Sequence, residues 1–329
     1  MNIISTWIKN ARSIALPQSF LPAMLAFCLA SRQEGVTWWL GILGILGVAL
    51  GHLSLNLFDD YFDYKIKESG HRTALTRKGF RARMSKCPYL ISGESTTKQL
   101  FIACIAFAFA AILLSAIIWY FRGNFIFYIA IVTAIIGISY SGPPLRLSYH
   151  GWGELLIGFI FGPLLMTGVY YAACGSWSDS LLFISVPVGM LVMNIVYSHA
   201  IMDFEPDKEA GKMTFARLLK APKSMLVFHA LLVYLPYVCI VGGIIAKELS
   251  SVYLLVFLTA PLAYYQHFLM QEFIKNSNRK FYPKWWMGPM GDWEKFKAGK
   301  VDWFMIRWLS ARNLLMLFCI TVIIAYYLS

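Results

Sequence analysis

The stretch TWWLGILGILGVALGHLSLNLFDDYFDYK, from Thr37 to Lys65, decides the fold. Its first part, near 37 to 57, is apolar for about the twenty residues that a membrane-crossing helix needs, and it runs without a break into acids. Within NLFDDYFDYK, Asn56, Asp59, Asp60 and Asp63 stand at i, i+3, i+4 and i+7. A helix that continues past the membrane edge carries all four on one face. Carboxylates at the end of a span are costly and point to function by default.

A second cluster repeats the arrangement. DFEPDKEAGK, Asp203 to Lys212, follows another apolar segment, and Asp203 and Asp207 align at i and i+4. Glu205 falls between them and points away, and Pro206 interrupts the pattern before Glu209. A histidine precedes each motif by four residues, His52 before Asn56 and His199 before Asp203, a weak internal echo.

The whole chain fits an all-α integral membrane protein. It has 329 residues, 58% hydrophobic and 14% charged, well beyond soluble composition. Apolar windows lie near 14 to 31, 37 to 57, 99 to 120, 124 to 142, 153 to 174, 180 to 202, 224 to 246, 251 to 270 and 312 to 328. The expectation is one domain, 1–329, of about nine transmembrane helices around a central cavity open to the cytoplasmic side. The first window follows Lys9 and Arg12 as a signal peptide would, but Pro17 and Pro22 interrupt it and no convincing cleavage site follows, so it reads as an uncleaved helix. The six cysteines are scattered without CxxC spacing, which indicates neither a disulfide framework nor a thiolate metal site.

The net charge of +12 is not a nucleic-acid signature, because 26 of the 29 Lys and Arg fall on the side of the amino-terminal tail. The opposite side keeps only Arg32, Arg122 and Lys247, so the positive-inside rule puts the N-terminus and both acidic motifs in the cytoplasm. A bacterial plasma membrane is the expected location. Two long loops lie on that side. The loop 64–98 carries Arg72, Arg77, Lys78, Arg81, Arg83 and Lys86 beside the first motif and reads as a lid. The loop 271–311 mixes Trp285, Trp286, Trp293, Trp303 and Trp308 with basic residues, the composition of an interfacial segment.

Two carboxylate faces flanked by basic residues suit a phosphorylated ligand bridged by cations. Magnesium takes one or two carboxylates plus phosphate oxygens and water, and bare carboxylates would repel a diphosphate. The expected ligands of two Mg2+ ions are Asp60, Asp63, Asp203 and Asp207, with Asn56 and Asp59. Lys212, Arg217 and the group from Arg72 to Lys78 would neutralise remaining phosphate charge. His52, His199 and Asn194 are polar groups inside apolar spans; helix-to-helix hydrogen bonding explains them, and contact of His199 or Asn194 with a substrate hydroxyl is the sharper alternative. The glycines at 41, 44, 47 and 51, and at 158 and 162, read as close helix contacts.

These motifs resemble those of the UbiA superfamily of intramembrane prenyltransferases, of types NDxxDxxxD and DxxxD. Ile91-Ser92-Gly93-Glu94 resembles the family's PxSG segment, SYSGPPLRLSYHGWGELLIGFIFGPLLMTGVYY from Ser139 to Tyr171 its middle region, and DFEPDKEAGKMTFARLL its second motif. Asp60 and Asp63 match the first two aspartates of the first motif, and Asp203 and Asp207 the second. Asp59 stands where the family usually has asparagine, and Lys67 where many members have a third aspartate; Asn56 or Glu68 could supply the missing oxygen. Tyr140 and Arg146 fall in a segment that the resemblance places near the diphosphate.

The resemblance implies magnesium-dependent transfer of an isoprenoid chain from a polyprenyl diphosphate to an acceptor, usually aromatic. DYFDYK, YHGWGEL and DKEAGK look most like 1,4-dihydroxy-2-naphthoate prenyltransferases of menaquinone biosynthesis. Prenyltransferases for 4-hydroxybenzoate or another quinone or lipid precursor stay open, because few pocket residues select the acceptor. A cation-coupled transporter is the rival of another class, but its acids belong at mid-span. A catalytically altered homologue that binds lipid is a third reading.

Overall fold

The computed structural model describes residues 3–65, 87–209 and 211–329. Lys67, Glu68, Arg72 and Lys78, with the rest of the basic group at 77–86, lie outside the described residues. The helices are α1 (Ile3–Asn10), α2 (Pro17–Ala30), α3 (Trp38–Lys65), α4 (Pro88–Ile91), α5 (Thr97–Arg122), α6 (Asn124–Ser141) and α7 (Gly153–Cys174). They continue as α8 (Ser180–Met202), α9 (Phe204–Glu209), α10 (Phe215–Leu219), α11 (Pro222–Ile245), α12 (Ser251–Lys275), α13 (Trp293–Ala298) and α14 (Asp302–Leu328). Among the described residues, eight helices are long and apolar enough to cross a membrane, and α2 is a shorter apolar helix of 14 residues. The protein is therefore an all-α, multi-pass membrane protein.

Helix α8 is the most enclosed of these, packed against α7, α11 and α14. Its approach to α7 depends on missing side chains. A Cβ on Gly162 would lie 2.4 Å from the Gly189 Cα, and one on Gly189 would lie 2.4 Å from the Gly158 carbonyl oxygen. Without a hydrophobic drive inside lipid, such backbone proximity is what dispersion and weak polar contacts need. Gly41 likewise makes room for the Phe27 ring, whereas a Cβ on Gly51 would meet nothing within 4 Å. Helices α5 and α6 sit at the periphery and turn residues such as Phe109, Ile112, Tyr128 and Ile135 outward.

Helix α7 contains one π turn, Ile160–Leu164, around Pro163. Proline has no N–H to give the preceding turn, so the ladder widens there instead of closing. Helix α3 runs 28 residues, long enough to carry its acids beyond the apolar stretch, as its spacing predicts.

The last connection differs from the sequence expectation. Helix α12 reaches Lys275 and α14 begins at Asp302, not near 312, so Trp303 and Trp308 belong to the final helix. Arg307 made that turn look too polar to span. It is fully buried, its Nε donates to the Leu269 carbonyl at 3.1 Å, and its guanidinium stacks on Phe273 and Phe281 at 5.0 and 5.7 Å.

Candidate active site

One cavity of about 400 Å³ receives both acidic helix ends. Asn56 and Asp59 line it from α3, His199 and Asp203 from the end of α8, and Asp207 and Lys212 from α9 and the turn after it. Tyr140 of α6 lines it too, with Phe58, Phe62, Phe161, Phe304 and Trp308 as apolar walls.

The first motif is held by partners far away in sequence. Arg12 sits between α1 and α2 in the left-handed region, φ 61°, a conformation unusual for a side-chain-bearing residue. From there its Nη2 reaches Asp59 at 3.1 Å, Asp60 at 3.2 Å and the Asn56 carbonyl at 2.8 Å. Burial opposes charge on Arg12, but the Asp60 and Asp59 carboxylates outweigh it, and its pKa is raised. The Asn56 amide donates to the Ala11 carbonyl at 3.0 Å, which pins the same junction. Ser141 Oγ donates to Asp59 at 2.5 Å, Tyr89 Oη to Asp60 at 2.9 Å, and Tyr149 Oη to Asp63. Burial and then the neighbouring Asp60 push the Tyr89 phenol above its usual range, so it remains a donor. Asp60 and Asp63 are buried behind the wall that Asn56 and Asp59 present.

The second motif lies on a broken helix. Asp203 has φ −97° and ψ 16°, which ends α8, and α9 restarts at Phe204 around Pro206. The amide of Asp203 donates to the His199 carbonyl and that of Asp207 to the Asp203 carbonyl, so the turn is kept and the two carboxylates stay one above the other. His199 Nε2 and Asp203 Oδ2 are 2.9 Å apart. Gly211, at φ +70°, turns the chain so that the Lys212 ammonium lies 5.8 Å from the Tyr149 ring centre. Arg217 Nη1 donates to the Lys212 and Asp207 carbonyls at 2.5 and 3.4 Å and braces this turn. Glu205 is exposed beside Lys208, and Glu209 is exposed.

The remaining expected residues are placed differently. Arg146 is half-buried at the start of a short 3-10 turn and does not line the cavity. Asn194 is fully buried and bonded to Ser198, which also receives a bond from Gln266, so it belongs to a seam between α8 and α12. Arg72 lies outside the described residues. Sequence reasoning gave no role to Tyr89, Tyr149 or Glu154, and counted Arg12 only as a tail charge. Arg12 stands just before the first apolar helix, which is the one local signal it carries.

Whether the site suits a metal follows from its donors. They are carboxylate and amide oxygens, hard ligands that fit Mg2+ or Ca2+ better than softer ions. Among the described residues no three His, Cys, Asp or Glu side chains converge to hold an ion alone. A cation here would need oxygens from a ligand, which is the habit of magnesium at phosphates.

The UbiA prenyltransferase family model matches residues 19–288. The 1,4-dihydroxy-2-naphthoate octaprenyltransferase of Bacillus subtilis (strain 168) is 28% identical over 255 residues, covering 76% of this chain and 77% of that protein. Among solved structures, that of digeranylgeranylglyceryl phosphate synthase covers 98% of this chain and 99% of its own at 18% identity, with a TM-score of 0.62. A UbiA homologue from Archaeoglobus fulgidus bound to DMAPP and Mg2+ covers the same shares at 17% identity and a TM-score of 0.55, and both structures share this fold. The chain therefore belongs to the UbiA prenyltransferase family and is a membrane-embedded prenyltransferase.

Proposed function

We propose that this enzyme transfers a polyprenyl chain from an allylic diphosphate to an aromatic acceptor, with 1,4-dihydroxy-2-naphthoate as the acceptor in menaquinone biosynthesis. The observation that carries the reading is the meeting of two acidic helix ends and Lys212 on one cavity with aromatic walls. The similarity to a naphthoate octaprenyltransferase favours this acceptor over 4-hydroxybenzoate.

Asn56 and Asp59 would hold magnesium on one side, with Asp60 and Asp63 directly behind them, and Asp203 and Asp207 on the other. When bound, magnesium screens the carboxylates from the diphosphate and stabilises the departing oxygens. Lys212 supplies a fixed positive charge at the same wall, and Arg217 keeps its turn in place. The rings of Phe58, Phe62, Tyr140, Phe161, Phe304 and Trp308 exclude water, and their faces favour an allylic cation over a neutral group. The charge distribution supports a cytoplasmic opening.

The test is turnover by the purified protein in lipid, with magnesium, mixed allylic diphosphates, and 1,4-dihydroxy-2-naphthoate and 4-hydroxybenzoate in competition. A prenylated naphthalene product that disappears with chelator is expected. Prenylated hydroxybenzoate alone would overturn the acceptor; no prenyl product from any aromatic acceptor would overturn the reading.

A further inference from the structure

Beside the turn that follows the second acidic motif, the same cavity has a polar patch made of Ser148, Glu154 and Thr214. Ser148 and Thr214 both line it, are 3% and 5% exposed, and have hydroxyls without a hydrogen-bond partner among the described residues. Buried hydroxyls in this state are rare and costly, so two on one wall mark the place of a ligand group. Glu154 lines the cavity beside them, 5% exposed. Both of its carboxylate oxygens accept the Phe215 N–H, each at 3.1 Å.

The chain is built to bring these three together. His150 and Met213 form an isolated parallel bridge, which sets the segment before α7 alongside the segment before α10. Thr214 directly precedes Phe215, and the Cβ position of Gly153 is 3.2 Å from the Ser148 Cα. The same position is 3.5 Å from the edge of the Tyr140 ring, so an aromatic face borders the patch.

We propose that Ser148, Glu154 and Thr214 form the subsite that takes a ring hydroxyl of the aromatic acceptor, a proposal that rests on the prenyl-transfer reading above. The donor and acceptor pattern selects the ligand. Glu154 accepts from a backbone amide and so acts as an acceptor, whereas a diphosphate offers only acceptors. A phenolic hydroxyl donates to the Glu154 carboxylate and accepts from Ser148 or Thr214, and its ring lies against Tyr140. These residues position the acceptor carbon toward the allylic end held by the acidic motifs. Rejection of acceptors without the hydroxyl follows, because the buried groups would be left unpaired.

Steady-state kinetics of the full-length protein in lipid, with 1,4-dihydroxy-2-naphthoate and its methyl ethers, tests this. Glu154→Gln retains an oxygen for the Phe215 amide but is a weaker acceptor. It should raise the KM for the naphthoate roughly tenfold or more, with the KM for the prenyl diphosphate within about twofold. Ser148→Ala, which removes one oxygen, should move the same parameter in the same direction and guards against a folding defect in the first variant. In the unaltered enzyme, one methyl ether should be a much poorer acceptor, and the difference should shrink in Glu154→Gln. A rise in the diphosphate KM instead, no KM change in either variant, or equal use of both methyl ethers and the parent would overturn the subsite. If the unaltered enzyme prenylates no aromatic acceptor, the function falls and the subsite with it; if it does and the KM split is absent, the subsite alone falls.

Discussion

The two acidic helix ends have similar residues and opposite constructions. The first lies on one uninterrupted helix, α3, and its carboxylates are neutralised by groups brought from α4, α6 and the α1–α2 junction, Arg12 foremost. The second lies on a helix that breaks at Asp203, and its named partners, His199 and the Lys212–Arg217 turn, are close in sequence. Among the described residues, the first end takes its partners from distant segments and the second from neighbours in sequence. A charge held by distant partners couples folding to the site, while a charge held locally leaves the fold largely indifferent to it.

The largest expected effect is on chemistry. Asp203→Asn or Asp207→Asn should lower kcat/KM by at least ~100-fold, with little change in the thermal midpoint of the detergent-solubilised protein. Asp60→Asn should match that loss of activity and also lower the midpoint, since Arg12 and Tyr89 lose their charged partner. Equal midpoints for all three would break the comparison.

Chelation separates the ends in another way. Removal of divalent cations should abolish turnover and Mg2+ should restore it, as followed by product mass spectrometry. The fold should survive, because the first cluster already has protein partners for its charge.

A smaller effect isolates Arg12. Arg12→Met should cost about 3 kcal/mol of stability, the low end for stranding a buried carboxylate because Arg12 is partly exposed. His199→Phe should move the midpoint far less, and denaturant titration of both variants compares them. The smallest effect belongs to a single neutral donor. Tyr89→Phe should cost roughly 1–2 kcal/mol by leaving one Asp60 oxygen without its phenol, and the same titration reads it.

Some residues were legible in the sequence for physical reasons that hold along a few turns. Hydropathy over a window marks a span, and i, i+3, i+4 spacing puts the acids on one face of α3 whatever else is nearby. The start of α14 was not legible, because the window weighs Arg307 as a charge in lipid and cannot register Phe273, Phe281 and the Leu269 carbonyl around it. The partners of the first motif escaped for the same reason. Arg12 and Asp59 are 47 positions apart, Tyr89 and Asp60 are 29 apart, and Tyr149 and Asp63 are 86 apart.

The sequence by itself determined a multi-pass helical protein with two acidic helix ends, because hydrophobic length and helical period act locally. Only the tertiary structure decided that both ends open on one cavity, that Arg12 adopts a left-handed turn to neutralise one of them, and that Ser148, Glu154 and Thr214 share a wall. Those outcomes depend on which side chains meet after helices pack through Gly158, Gly162 and Gly189, and no local pattern encodes that meeting.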